Sequence, residues 1–250
     1  MEHKYQVERA TLKSGNWDQW ARTETDQRKK VPMPPQQKPV PEGATLLDLP
    51  DPLKTGLGSM PVAEALLKRR SFRGALDDPL SLETLSFLLW ATQGISGDSP
   101  FRRTAPSGGA RHPFETYLFV RKVDGLTEGL YRYLPLSHQL LPLPSADEFE
   151  RLLSQAACNQ PFASGGAVTF LWTAIPYRSE WRYDVLSHKV IALDAGHVCQ
   201  NLYLAATAVD CGVCGIGAYN QREVDALLGV DGEDEFVVYL ASCSRLPQEG

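Results

Sequence analysis

Ala167-Val168-Thr169-Phe170-Leu171-Trp172-Thr173-Ala174-Ile175 runs apolar almost without interruption. A strand with one wet face alternates apolar and polar residues. A continuous run rich in β-branched and aromatic residues marks a central strand covered on both faces. The sheet holding it is therefore buried, and helices must supply its cover. Upstream, residues 115–123 and 129–134 carry the same aromatic and β-branched character on either side of Gly125, so they read as paired strands. A third short strand follows at 140–143. Connections this brief join antiparallel neighbours. Downstream, EFVVYLA at 235–241 is the last strand.

The remaining periodic stretches are helical. Residues 189–209 place Ile191, Asp194, Ala195, Val198, Leu202, Ala205, Ala206 and Val209 on one face and Leu193, His197 and Leu204 on another, the pattern of a core or interface helix. Ser81 is a good N-cap, with Glu83 in the first turn, a stripe of Leu82, Leu85, Leu88, Leu89 and Thr92, and Gly94 at the end. Residues 146–157 and 221–228 read as helices, the second closed by Gly229. Another begins near Pro61, behind Ser59, and runs toward Lys68, Arg69 and Arg70. The fold class is therefore α+β, a mostly antiparallel central sheet flanked by helices. No G-x-G-x-x-G follows a strand, as a doubly wound dinucleotide fold would require, and no internal repeat is present.

Seven prolines (Pro32, Pro34, Pro35, Pro39, Pro41, Pro50, Pro52) make residues 1–60 an extended proline-rich arm rather than helix or central strand. Its apolar anchors, Tyr5, Trp17, Trp20, Leu46, Leu47 and Leu49, exceed what a solvated linker needs, so the arm is expected to wrap onto a partner surface. Residues 61–250 form the domain proper.

The chain has 250 residues, 43% apolar and 22% charged, which suits one sizeable globular domain. Its 25 Lys and Arg against 30 Asp and Glu leave a formal charge of -5, with no general attraction to nucleic acid or anionic lipid. Any anion must be held by a few placed cations. The apolar runs fall well short of the ~18–20 residues of a membrane span, and Met1-Glu2-His3-Lys4 leads into no secretory stretch, so a cytoplasmic protein is expected. Five cysteines, an odd number, argue against a disulfide framework. Cys211-x-x-Cys214 invites a zinc or dithiol reading, but no second pair stands at zinc-site spacing and the motif follows a helix instead of starting one, so no metal site is expected.

Three stretches carry candidate chemistry. Arg69-Arg70-Ser71-Phe72-Arg73 is either a set of cations favoured at a helix C-terminus or an anion clamp of guanidinium forks and a hydroxyl. Pro106-Ser107-Gly108-Gly109-Ala110-Arg111-His112-Pro113 is either an ordinary turn or a loop whose glycines let backbone N–H groups approach a flat ligand. Cys211-Gly212-Val213-Cys214-Gly215-Ile216-Gly217-Ala218 reads as a glycine-rich turn that could set amides against a ring. Asp194 and His197 form either a proton relay or a buried hydrogen-bonded pair. His112 is a candidate functional group, or with Arg111 part of an entrance rim.

Together with Gly129-Leu130-Tyr131-Arg132-Tyr133 and Asp194-Ala195-Gly196-His197, these stretches resemble the ordered motif series of the FMN-dependent nitroreductase superfamily over residues 61–245, and most closely its SagB-type dehydrogenase branch. The resemblance implies a nitroreductase-like fold and an intertwined homodimer with FMN shared between subunits. It implies that the segment Arg69, Arg70, Ser71 and Arg73 holds FMN, with Arg69 and Ser71 at the phosphate and ribityl end and Arg73 at the pyrimidine edge. Pro106, Ser107, Gly108, Gly109 and Ala110 would reach the same flavin from the partner subunit. Ile216, Gly217 and Ala218 would lie near its N5, and Arg245 would add a phosphate contact. The implied activity is ping-pong hydride transfer between NAD(P)H, or another donor, and a small electrophilic acceptor. Tyr183 and Arg182 are the candidate catalytic side chains, with residues 137–166 and 177–187 over the substrate. Two departures stand out. Arg182 replaces the lysine of azoline-oxidising members, and arginine is always protonated, which weighs against a general base. Ala110 stands where general nitroreductases carry Asn. Oxidation of peptide azolines, or flavin binding without turnover, are the alternatives.

Overall fold

The computed structural model describes residues 4–15 and 17–247. Seven antiparallel strands form one sheet: β1 (Leu47–Asp48), β2 (Phe114–Val120), β3 (Gly129–Leu134), β4 (Gln139–Leu143), β5 (Val168–Ala174), β6 (Cys211–Ile216) and β7 (Phe236–Arg245), in the order β1-β4-β3-β2-β5-β7-β6. The AVTFLWTAI run supplies the central strand β5, buried at every position and paired with β2 and β7. Its side chains alternate between two cores. Val168, Phe170 and Trp172 point to the face covered by α4 (Leu82–Gln93) and α7 (Ser187–Thr207). Leu171 points to the face covered by α5 (Phe149–Ala156) and α8 (Gln221–Leu228). Each large side chain removed from water this way contributes about 1.5–3 kcal/mol.

The helices begin and end for local reasons. Ser81 accepts from the Thr84 N–H and starts α4, and Asn220 does the same for α8 through Glu223. Gly229 closes α8 in the left-handed conformation. The 21-residue α7 buries Ile191, Asp194, Ala195, Val198, Leu202, Ala205 and Ala206, the face expected from periodicity, while Leu193 stays 54% exposed. The short helix α3 (Val62–Lys68) starts after Pro61, and α6 (Tyr177–Tyr183) leads into α7. The α5 helix starts three residues later than position 146, because Glu148 takes a left-handed conformation ahead of it.

Two expectations change. The stretch 211–216 is a strand, not a turn. Its glycines serve packing: a Cβ on Gly212 would come within 2.7 Å of the Phe72 side chain, and one on Gly215 within 2.6 Å of the Tyr239 hydroxyl. The arm is not wholly extended either, since it contains α1 (Gln6–Leu12) and α2 (Trp17–Trp20), and the strand β1. Its middle lies along its own chain. Arg103 donates to the Gln36 carbonyl, Arg132 to the Pro39 carbonyl and Trp181 to the Val31 carbonyl, while Lys38 pairs with Glu235. Three of these partners, Arg103, Arg132 and Glu235, are buried charged groups, so the proline-rich segment supplies polar partners to charges held out of water.

Candidate functional site

The cationic segment lies along the free edge of β6. Ser71 forms a parallel bridge with Val213, and the Phe72 N–H donates to the Val213 carbonyl at 2.9 Å. Parallel pairing fixes which end each residue occupies. Arg69 falls toward Cys211, which pairs with Arg245 across the β6–β7 ladder, and Arg73 falls toward Gly215 and Ile216. Two cations thus gather at one end and a third at the other, beside Gly217 and Ala218. No ion pair engages Arg69, Arg73 or Arg245 among the described residues. Arg70 does something else. Its guanidinium turns back to the Leu67 and Arg69 carbonyls at 2.9 and 2.8 Å, capping the end of α3.

At the Arg73 end a cavity of about 690 Å³ opens between α7, β7 and the segment after β6, lined in part by Ala195, Gly196, Gly217, Tyr219, Phe236 and Tyr239. A Cβ added to Gly196 or Gly217 would meet nothing within 4 Å, so both glycines face open space. Guanidiniums without an ion pair, spread along an edge whose Arg73 end leads toward a slot walled by glycines and aromatic rings, fit a flat ligand with an anionic tail. FMN has that shape and charge.

The second cluster surrounds the Pro106–Ala110 loop. The buried Asp194 carboxylate accepts from the Ser107 hydroxyl at 2.7 Å and from the Gly108 N–H at 3.0 Å, and Ser107 Oγ in turn accepts from the His112 N–H at 2.9 Å. Sequence reasoning paired Asp194 with His197; that ring nitrogen lies 3.8 Å away, and the shorter bonds tie α7 to the loop. Burial raises the Asp194 pKa against the lowering by these hydrogen bonds and by His197. Gly109 adopts φ +60, and a Cβ there would sit 2.5 Å from the Tyr183 hydroxyl and 2.7 Å from Arg182. Ala110 is also left-handed.

Arg182 and Tyr183, at the end of α6, lie over this loop and beneath the arm. The Arg182 guanidinium donates to Gln27 at 3.3 Å, the Trp20 indole donates to the Arg182 carbonyl, and Trp17 packs edge-on to the Tyr183 ring at 5.6 Å. Arg111 and His112 do not rim an entrance. Both are buried, Arg111 against the rings of Trp181 and Phe101. Burial, with Arg103 nearby, pushes the His112 pKa down to about 4, so the imidazole is neutral near pH 7.

The slot and the Pro106–Ala110 loop stand level on different faces of α7, at Ala195 and Gly196 and at Val190 and Asp194 respectively, whereas the Ser71 end of the cationic segment lies further along the helix. From Val190, which Gly108 abuts, to Tyr203, which touches Ser71, is about 20 Å along the axis at about 1.5 Å per residue. The CxxC cysteines do not form a dithiol site: both are buried in β6, and residues three apart on a strand point to opposite faces. No cluster of metal-ligating side chains exists among the described residues, and none of their helices is long and apolar enough to cross a membrane.

An antiparallel sheet in this strand order with helices on both faces, a cationic segment on one edge and a glycine-walled slot defines an α+β domain with a candidate ligand site at its sheet edge. The family model for the nitroreductase family matches residues 66–243, and the chain belongs to that family. It is 32% identical over 184 residues to a nitroreductase-family protein of Methanocaldococcus jannaschii, covering 74% of this chain and 89% of that one. A stretch of 109 residues is 34% identical to the trifolitoxin-processing protein TfxB of Rhizobium leguminosarum bv. trifolii, covering 42% of this chain and 29% of that protein. A nitroreductase-family crystal structure from Ralstonia eutropha JMP134 superposes with a TM-score of 0.68 at 27% identity, over 88% of this chain and 100% of its own.

Proposed function

We propose that the protein is a cytoplasmic, homodimeric, FMN-dependent oxidoreductase that moves hydride in alternate half-reactions from NAD(P)H, or another donor, to a small electrophilic acceptor. When bound, FMN supplies a ring that takes up hydride in one half-reaction and gives it away in the next. The protein's part is to hold and orient. Arg69 and Arg245 bind the phosphate, and Ser71 binds the ribityl chain. Arg73 stabilises negative charge at the pyrimidine edge, and the backbone N–H of Gly217, with Ile216 and Ala218 beside it, orients the ring for hydride arrival. Arg70 remains with its helix end.

The observation that carries this reading is the Ser71–Val213 register, which orders phosphate-end cations, ring-edge cation and ring-facing amides along one strand edge. The placement of the Pro106–Ala110 loop on a different face of α7 from the slot, and about 20 Å along the axis from Ser71, supports a shared site in which the loop serves the flavin of the partner subunit. So do the exposed apolar side chains Val62, Leu66 and Leu67 on α3 and Leu193 on α7, which need cover. The arm, with its exposed first helices, would extend that cover onto the partner.

The local match to a trifolitoxin-processing protein favours a second reading, of the SagB type, in which a peptide-derived azoline gives up the hydride. Arg182 weighs against it, because a guanidinium does not take a proton near neutrality. One experiment separates the readings. FMN-reconstituted protein is followed at its visible band without oxygen: bleaching by NADH or NADPH supports the reductase, and bleaching by an azoline peptide alone supports the oxidase. Bound flavin that neither bleaches marks a binding protein. A chain that takes up no FMN refutes all three.

A further inference from the structure

We infer that Tyr203 is a positioning residue of the flavin site, setting the spacing between the cationic segment and the ring-facing amides. The inference rests on the FMN reading above and adds a residue that none of the family motifs contains. Tyr203 stands on α7 and reaches three features at once. Its ring carries the Arg69 guanidinium at 5.4 Å from the centroid. Its hydroxyl lies 3.2 Å from Ser71 Oγ and accepts the Gly215 N–H at 2.7 Å. The same hydroxyl that accepts from Gly215 thus pairs with Ser71, with either oxygen able to donate in that bond.

Strand geometry gives these contacts their meaning. β6 is an edge strand, so alternate residues turn their hydrogen-bonding groups away from β7. At Val213 the outward carbonyl is taken by Phe72, and at Gly215 the outward N–H is taken by Tyr203. The next outward position is Gly217, beyond the end of the ladder and beside open space. Tyr203 therefore closes the last edge amide before the ring-facing ones and ties it, through one hydroxyl, to the serine at the ribityl end. Without that tie the segment is still held by the Ser71–Val213 bridge, by Phe72 packed on Gly212 and by Ser244 at the Gly74 carbonyl, but its serine is no longer fixed against the edge amide.

The test is direct titration of FMN and of riboflavin into the full-length apoprotein, read by flavin fluorescence, for the wild type, Tyr203→Phe, Tyr203→Leu, Ser71→Ala and Ser71→Ala with Tyr203→Phe. Loss of the hydroxyl raises the FMN dissociation constant about fivefold. Loss of the ring as well raises it about twentyfold. Because Arg69 acts on the phosphate, Tyr203→Leu lowers the preference for FMN over riboflavin, whereas Tyr203→Phe keeps it. In the Ser71→Ala background the Phe substitution costs only about twofold, since the two hydroxyls share one bond. A purely structural tyrosine would weaken both flavins alike and show no dependence on Ser71. If the Leu variant does not fold, the Phe variant and the double substitution decide. Unchanged FMN affinity in Tyr203→Phe overturns the role of Tyr203 and leaves the FMN reading standing; a wild-type chain that binds no FMN overturns both.

Discussion

Replacing Asp194 by alanine probes how the Pro106–Ala110 loop is held. Asp194 is 3% exposed and accepts two hydrogen bonds, from Ser107 Oγ at 2.7 Å and the Gly108 N–H at 3.0 Å. Bonds to a charged acceptor are worth about 1.5–3 kcal/mol each, but both donors are half-buried and water can partly replace the lost acceptor. The carboxylate also carries a desolvation cost that alanine relieves, which is why burial raises its pKa. The net loss is therefore about 1–3 kcal/mol, or roughly 2–12 °C in Tm for a domain of this size. Thermal unfolding of the apoprotein measures it. Asp194 also leaves a pH signature. Its folded pKa lies above the ordinary 3.8, so the folded chain retains that proton longer. This contribution to stability is full below 3.8 and fades as pH rises through the folded value, a slope that Asp194→Ala lacks. In a Ser107→Ala background the Asp194 substitution costs less, because they share a bond. A Tm within 1 °C of wild type, by about the precision of the method, with no dependence on Ser107, would refute the claim that this carboxylate anchors the loop.

Other outcomes follow from single contacts. His112 is held neutral down to about pH 4, whereas the unfolded imidazole takes its proton near 6.5, so stability falls as pH drops through that window. His112→Asn, which tolerates the left-handed backbone, flattens the slope in equilibrium urea unfolding. Glu235→Gln leaves Lys38 without its partner carboxylate and weakens the bonds from Tyr117 and Thr173, at about 3 kcal/mol. Limited proteolysis should then cut the arm near Lys38 faster than in wild type. Gly212→Ala drives a methyl to 2.7 Å from Phe72 and costs about 1–3 kcal/mol. It also displaces the Arg69–Arg73 segment, so FMN titration shows weaker binding.

Much of the fold is legible in periodicity. The β5 run, the buried face of α7 and the Ser81 cap follow from residue order because each depends on neighbours within a few positions. The β6 strand is not legible, since glycine argues against strand unless one knows that Phe72 and Tyr239 occupy the space of the missing side chains. The path of the arm depends on the buried Arg103, Arg132 and Glu235, distant positions whose need for partners emerges only once the sheet has formed. In the candidate site, the motif residues are visible as motifs, but their order along β6 comes from a bridge between segments far apart in sequence. Tyr203 carries no motif at all. The sole hint is a phenol on a helix otherwise read as core. Arg70 shows the converse, a motif-like cation that the helix end itself employs.

The central claim is that the β6 edge and the arginines at its two ends form an FMN site. Fluorescence titration of FMN into the apoprotein, for wild type beside Arg69→Ala and Arg73→Ala, tests it most directly. The account predicts saturable uptake of one FMN per chain by wild type, with each substitution raising the dissociation constant about tenfold or more, as the loss of a charge-assisted contact of about 1.5–3 kcal/mol requires. Wild-type protein that quenches no flavin fluorescence, or variants that bind FMN as tightly as wild type, would contradict it.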